Sequence, residues 1–168
     1  LLAGVYRPDG GTITIDDEPV YENPGVKKRI AYVPDELFFL PASNIRRMAS
    51  LYEAAYPSFD RKRFESLTEI FRLSASKSLN TFSKGMRRQA ATILAVSTRP
   101  QYIFFDETFD GLDPVMRQAV KGLIASAVAE GRLVPIIASH NLRELEDICD
   151  HVGVLHQGKV VLNMRLEQ

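Results

Sequence analysis

The chain has 168 residues, with 21 Lys plus Arg against 21 Asp plus Glu, so its formal net charge at pH 7 is zero. This length allows a domain with a sizeable core and excludes a small disulfide scaffold. A balanced charge gives no global attraction for nucleic acid, so we expect no nucleic-acid partner. The single cysteine, Cys149, excludes an internal disulfide, and no apolar run reaches the ~20 residues needed to cross a bilayer.

The N-terminal part of the chain predicts a turn and two strands. A P-D-G-G run at residues 8–11 predicts a turn before an alternating strand over 12–15. The acidic residues 16–18 fit a solvated turn better than a metal site, because no regularly spaced oxygen ligands follow them. A second strand is expected over 29–33 and is stopped by Pro34.

Residues 35–98 have helical character, which predicts an all-helical insertion between strands. The predicted organisation is therefore a core formed by residues 1–34 and 99–168, with a helical subdomain over 35–98. Asn44, Asp60 and Ser83 are the expected N-caps of three helices. The expected inward faces, taken helix by helix, are Ile45, Met48, Leu51 and Ala55; Phe64, Leu67 and Phe71; and Met86, Ala90, Ile93 and Leu94.

Two unbroken apolar runs cover residues 102–105 and 134–138. In the segment between them, apolar residues recur at the spacing of a helix. Strand, helix and strand in this order predict an α/β fold with a parallel sheet covered on both faces. Pro135 lacks a ladder donor, so we expect the second strand to begin after it. A helix over 142–149 and a terminal hairpin around Gln157-Gly158 complete the prediction.

Chemistry-bearing residues follow both strands, at the sheet edge where ligands of open α/β sheets gather. Asp106 would hold Mg²⁺, partly through water, and Glu107 would activate an attacking water. Both could instead cap the next turn. His140 could be a hydrogen-bonded structural histidine or precede the next helix, but its position favours sensing a phosphate.

Two helix starts have both a structural and a functional interpretation. Residues 83–89, S-K-G-M-R-R-Q, open a helix whose free N–H groups could bind an anion. The alternative is a Ser N-cap, a glycine in the first turn and a basic amphipathic helix. Asp113-Pro114 is a good helix start whatever its function.

In this order, the segments resemble an ATP-binding cassette (ABC) transporter ATPase domain, from just after its phosphate loop to near its C-terminus. The resemblance covers essentially the whole chain. Within this family, the chain resembles the bacterial ABC-2 type exporter ATPases in particular. The matched motifs are the helix end and turn after Walker A (residues 1–11), the Q-loop (Asp35), the LSGGQ signature (Ser83-Lys84-Gly85-Met86), Walker B (Asp106-Glu107), the D-loop (Gly111-Leu112-Asp113) and the switch histidine (His140).

The resemblance implies a P-loop NTPase (RecA-like) three-layer core with a mostly parallel sheet and an inserted helical subdomain, N-terminally truncated. It implies ATP and Mg²⁺ as cofactors and ATP hydrolysis in the complete protein. The implied roles are catalysis by Glu107 and His140, metal binding by Asp106 and Asp35, and nucleotide binding by Asp35, Ser83, Lys84, Gly85, Met86, Gln89 and Asp113.

Family resemblance also implies partners: a second ATPase subunit in a head-to-tail homo- or heterodimer, and a transmembrane permease. The protein would then be cytoplasmic and peripheral on the inner face of the cell membrane. Residues 38–40 and the helical insertion would contact the permease, although 38–40 could be core. One alternative is a non-catalytic regulatory domain with a degenerate nucleotide site. A DNA-repair or chromosome-organising ATPase head is disfavoured, because the interval 34–83 is short and lacks heptads.

Several residues depart from the family pattern. Asp35 replaces the usual Gln, with Glu36 adjacent, so the register could shift by one. Lys84 replaces the first signature glycine, and Thr108 stands where Pro often follows Walker B. The 168 residues contain no G-x-x-x-x-G-K-[ST] loop and no initiator Met, so we expect a natural beginning upstream of Leu1. We expect this stretch alone neither to bind ATP tightly nor to hydrolyse it.

Overall fold

The computed structural model describes residues 1–131, 133–142, 145 and 147–166. These residues form two compact units, Leu1–Ala138 and Ser139–Gln168, and each unit is described by itself. The predicted division into a core and a helical subdomain over 35–98 remains a prediction.

The first unit begins with a short hairpin whose turn is acidic. Strand β1 (Thr14–Ile15) pairs antiparallel with β2 (Glu18–Pro19), and the two turn residues between them both have positive φ, as in a type I′ turn. Arg29 bonds to Asp16 at 3.2 Å and to Glu18 at 2.5 Å, and the Tyr102 hydroxyl donates to Asp16 at 2.7 Å. Protein donors therefore hold Asp16 and Glu18 at the two sides of this turn.

The helices of the first unit have the predicted caps. Helix α1 (Pro24–Lys27) precedes strand β3 (Ile30–Val33). Each of three later helices begins after a side chain that accepts a backbone N–H bond. These helices and their caps are α2 (Ile45–Ala55, Asn44), α3 (Arg61–Ile70, Asp60) and α4 (Lys84–Ser97, Ser83), with a 3₁₀ turn over Leu79–Thr81 before α4.

One of the predicted helix faces is rotated from the observed one, and another is covered as predicted. Leu51 and Ala55 of α2 are exposed, and Ala49 is buried beside Ile45 and Met48. In α3 Phe64 is buried and Leu67 and Phe71 are partly buried, so the predicted face is the covered one, with Thr68 buried beside it. The correction for α2 has a physical cause: positions i, i+3 and i+4 share a face, and a neighbouring helix selects which of the overlapping stripes is covered.

Strands β3, β4 (Tyr102–Asp106) and β5 (Val134–Ala138) form a parallel sheet in that order, which confirms the predicted α/β class. Helix α5 (Pro114–Ala129) connects β4 to β5. The expectation that β5 begins after Pro135 is wrong, because Pro135 lies within the strand and pairs with Ile103. Among the described strands β5 is an edge strand, and an edge position tolerates a missing N–H donor.

Helix α4 is the centre of the first unit. Its residues from Arg88 to Ser97 are all buried, and it packs against β3, α2, α3 and α5. A helix that is covered on every side needs no polar face. The alternative of a basic amphipathic helix is therefore wrong for this segment, because its second arginine lies in the interior.

The second unit contains the predicted hairpin. Strands β6 (His151–His156) and β7 (Lys159–Arg165) pair antiparallel around Gln157 and Gly158, both with positive φ. This conformation fits the type I′ turn of two-residue hairpins. The helix predicted over 142–149 falls partly on Arg143, Glu144 and Glu146, which lie outside the described residues.

Two valines on different strands of the parallel sheet give a matched test of the core. Val33 on β3 is 1% exposed, whereas Val134 on β5 is 51% exposed. We expect Val33→Ala to lower the free energy of unfolding by about 2–3 kcal/mol, because it removes buried methyl groups and leaves a cavity. Val134→Ala should cost less than about 1 kcal/mol. Urea denaturation measures both, and equal losses would contradict this placement of the core.

Candidate functional site

The candidate site is built around the turn at the end of β4. Asp106 is the last residue of the strand and pairs in register with Ala138 of β5. Glu107 follows with φ of 45°, and its N–H donates to the Ala138 carbonyl at 3.0 Å. Its carbonyl accepts from the Asp110 N–H at 3.1 Å. Since a left-handed conformation costs a non-glycine residue roughly 1–2 kcal/mol, the surrounding bonds must stabilise this turn.

Asp106 has a direct partner on the neighbouring strand. The Tyr32 hydroxyl on β3 donates to Asp106 Oδ2 at 3.2 Å. Partial burial, and then the adjacent carboxylate, raise the pKa of the Tyr32 phenol above its ordinary value. The phenol therefore stays protonated and orients Asp106 at neutral pH.

The N-terminus of α4 lies beside the continuation of this turn. The Lys84 ammonium is 3.5 Å from Asp110 Oδ2, and both side chains are more than half exposed. Gly111 has φ of +65°, and a Cβ there would lie 2.5 Å from Lys84 Nζ. This position therefore favours glycine for its left-handed conformation, and Lys84, whose flexible side chain can move, lies directly over it.

The signature residues do not all face the same way. Ser83 is exposed and its side chain accepts from the Met86 N–H at 3.2 Å, while Lys84 is also exposed. A Cβ on Gly85 would lie 3.3 Å from Met116 Cγ, so a small residue allows α4 to approach α5. Gln89 is 4% exposed and its amide nitrogen lies 3.1 Å from Met116 Sδ. Gln89 therefore faces α5 and not the exposed surface at Ser83.

Asp113 has the structural role that its sequence context indicated. Its side chain accepts from the Met116 N–H at 2.9 Å as the N-cap of α5, with Pro114 at the first helical position. The residue is itself exposed, so this capping role does not remove it from the surface.

Arg88 is the residue that sequence reasoning missed. Its side chain is 1% exposed. It donates to Pro34 O at 2.6 Å, Asp35 O at 3.1 Å, Asp35 Oδ1 at 3.2 Å and, at 3.5 Å, Glu107 O. A run of two arginines on a helix normally indicates a solvated face, and no local signal distinguishes the buried one.

The first unit thus brings Asp35, Asp106 and Glu107 to one edge of the parallel sheet. Arg88 bonds to both Asp35 and the Glu107 backbone, and Tyr32 bonds to Asp106. His140 belongs to the second unit and is exposed, so its predicted proximity to Glu107 remains a prediction. Among the described residues, no group of three or more His, Cys, Asp or Glu is arranged to hold a metal ion by itself.

Solved structures share this fold. A structure of an ATP binding subunit of an ABC transporter matches with a TM-score of 0.86 and 26% identity, over 98% of this chain and 71% of that one. A bacterial Atm1-family ABC exporter with ATP bound matches with a TM-score of 0.80 over 96% of this chain and 30% of that one, and at 19% identity it shows the fold alone. The fold is that of the P-loop NTPase domains of ABC ATPases.

Sequence comparison then identifies the family. Residues 1–110 match the family described as ABC transporter, and the protein belongs to that family. The ABC transporter ATP-binding protein YtrB of Bacillus subtilis (strain 168) is 29% identical over 168 residues, which are 100% of this chain and 58% of YtrB. The bacitracin transport ATP-binding protein BcrA of Bacillus licheniformis is 27% identical over 96% of this chain and 54% of its own. The chain spans about half the length of these relatives. The predicted resemblance to ABC transporter ATPases, which rested on the order of the motifs, is confirmed.

The hydrogen bond between Tyr32 and Asp106 can be tested by titration. Asp106→Asn removes the carboxylate charge, so we expect the pKa of Tyr32 to fall, yet to stay above its ordinary value of about 10 because burial remains. Tyr32's contribution to stability is present below about pH 10 and is lost as pH rises through its raised pKa. NMR of ¹³Cζ-labelled tyrosine resolves each phenol.

The control in this titration is Tyr52, whose pKa is raised by burial and by Tyr56. Its titration should be the same in the wild type and in Asp106→Asn. An unchanged Tyr32 titration in that variant would contradict the hydrogen bond.

Proposed function

We propose that this chain is part of the ATP-binding subunit of an ABC transporter, which couples ATP binding and hydrolysis to transport by a membrane permease. The observation that carries the proposal is the placement of Asp106 and Glu107 in a bonded, left-handed turn at the carboxyl edge of a parallel sheet. Ligands of open α/β sheets bind at this edge. Membership of the ABC transporter family supports the same function.

Glu107 is proposed as the general base. It follows the strand directly and its backbone is bonded on both sides, so its side chain is carried by a fixed turn. A positioned base typically contributes about 10²–10⁴-fold to a rate. His140 is proposed to contact the γ-phosphate as a second catalytic group, in keeping with the imidazole's capacity to change charge near neutral pH.

Asp106 fits a role in holding Mg²⁺. The Tyr32 hydroxyl bonds to Oδ2, which leaves Oδ1 for a cation or for its water, and Mg²⁺ usually takes only one or two carboxylates. Asp35 fits less well, because its Oδ1 accepts from the Arg88 guanidinium. The ion, when bound, would neutralise phosphate charge, while Asp106 would orient it.

The exposed start of α4 is proposed to close on the nucleotide of a second ATPase subunit in a head-to-tail dimer. Ser83, Lys84, Gly85 and Met86 open a 14-residue helix whose N-terminal dipole favours an anion. Asp113 would lie at the same dimer interface. Gln89 is buried against α5 and would act by supporting this helix, not by touching nucleotide.

The proposed second partner is a transmembrane permease, which would place the subunit on the cytoplasmic face of the membrane. Phe38 is 75% exposed in the segment 38–40, which we propose as part of the contact together with the helical subdomain over 35–98. No described helix has the length and apolar character to cross a bilayer.

Glu107→Gln tests the proposed base in the full-length protein. We expect steady-state ATP hydrolysis to fall by about 10²-fold or more, because the amide cannot accept the proton of the attacking water. Nucleotide binding should persist, and the ATP-bound dimer should accumulate. Phosphate release and size-exclusion chromatography measure the two effects.

A matched control is Glu65→Gln, which makes the same change on the exposed face of α3. Its turnover should equal that of the wild type. If Glu107→Gln turns over normally, the assignment of Glu107 as base is wrong. If the wild-type protein binds ATP without hydrolysing it, the non-catalytic regulatory domain becomes the better proposal.

The 168 residues by themselves are expected to bind ATP weakly. They contain no G-x-x-x-x-G-K-[ST] sequence, and in P-loop proteins the backbone amides and Lys of that loop supply most of the phosphate contacts. Isothermal titration calorimetry of this stretch with Mg²⁺ and ATP should give no micromolar binding. A micromolar dissociation constant would contradict the proposal.

A further inference from the structure

The Arg88 side chain connects three segments of the first unit. The guanidinium originates on α4 and bonds to Pro34 O and Asp35 O after β3, and to Glu107 O after β4. The bond to Glu107 O is the longest, at 3.5 Å, and the bond to Pro34 O is the shortest, at 2.6 Å. A guanidinium presents five donors in a rigid fork, so a single side chain can serve several acceptors at fixed angles.

Because the charge of Arg88 is buried, it must be hydrogen-bonded to acceptors within the protein. Removing a guanidinium from water is costly unless the interior supplies acceptors. Burial lowers the pKa of Arg88, while the Asp35 hydrogen bond, and then the charges of Asp35, Asp110 and Asp106, offset part of that effect. The acceptors must therefore stay close to Arg88, so movement of α4 is transmitted to both strand ends.

Arg87 also contacts the loop that follows β3, which runs from Pro34 to Phe39. Its Nη2 donates to Leu37 O at 3.4 Å, and its guanidinium carbon lies 5.7 Å from the centre of the Phe39 ring. The loop from Pro34 to Phe39 is thus attached to α4 at two neighbouring positions. Only Arg88 also reaches the turn after β4.

We propose that Arg88 is a positioning residue that fixes the Asp35 loop and the Glu107 turn to the start of the signature helix, so that these three parts of the site move together. It acts through the backbone carbonyls of Pro34, Asp35 and Glu107 and through the Asp35 carboxylate, without touching nucleotide. The proposal rests on the proposed ATPase function for its kinetic consequence, whereas its structural part stands without it.

Arg88→Lys and Arg88→Gln in the full-length protein test the proposal. Lysine keeps a positive charge but not the fork, and glutamine keeps one amide donor group without charge. Ile93→Val is the control, because Ile93 is fully buried on the same helix and makes none of these bonds. Asp35→Ala is a fourth variant, which removes a half-exposed carboxylate and keeps the test available if the buried variants do not fold.

The structural measurement is the backbone ¹⁵N order parameter over residues 35–37 and 107–110. In Arg88→Gln we expect values in both segments to fall from about 0.85 toward 0.6, with a smaller fall in Arg88→Lys. Ile93→Val should leave both unchanged, and Asp35→Ala should mobilise 35–37. The proposal is overturned if the folded Arg88 variants match Ile93→Val, or if Asp35→Ala leaves 35–37 rigid.

The kinetic measurement separates positioning from simple loss of stability. Arg88→Gln should lower kcat about tenfold or more while KM for ATP changes less than about twofold, and Arg88→Lys should recover part of kcat. An equal loss in Ile93→Val would overturn the kinetic consequence. If the wild-type protein does not hydrolyse ATP, the proposed function fails, and the order parameters still decide whether Arg88 holds the two segments.

Discussion

The candidate site depends on one buried charge. Helix α4 is covered on every side from Arg88 onward, so its guanidinium must find acceptors within the protein. Those acceptors are backbone carbonyls at the ends of β3 and β4, which are also the places where Asp35 and Glu107 leave the sheet. Because the Arg88 guanidinium must stay bonded to these carbonyls, it fixes the distance between the start of α4 and the edge of the sheet.

The turn after β4 adds a second constraint. Glu107 adopts a left-handed conformation that is unfavourable for its residue type, and backbone bonds to Ala138 and from Asp110 hold it there. The same turn presents Asp110 to Lys84 at the start of α4. The acidic strand end and the helix N-terminus thus belong to one bonded assembly.

Much of the fold follows from local chemistry. The three N-caps and the terminal hairpin were predicted because each depends on a few adjacent residues, and the parallel strands were predicted from the order of apolar runs and helix. Two predictions were wrong for a different reason: that Leu51 faces inward, and that β5 begins after Pro135. Whether Leu51 is covered depends on the neighbours of α2, and whether Pro135 is tolerated depends on β5 lying at an edge of the described sheet.

The sequence by itself determined the order of the motifs, the α/β class and the family, because spacing and residue type carry that information along the chain. Only the tertiary structure decided that Arg88 is buried, that Gln89 faces α5 and that Tyr32 orients Asp106. Each of these depends on segments far apart in sequence: residues 34–35 and 88, 89 and 116, 32 and 106. Local periodicity cannot show such contacts, since they arise only when helices and strands pack together.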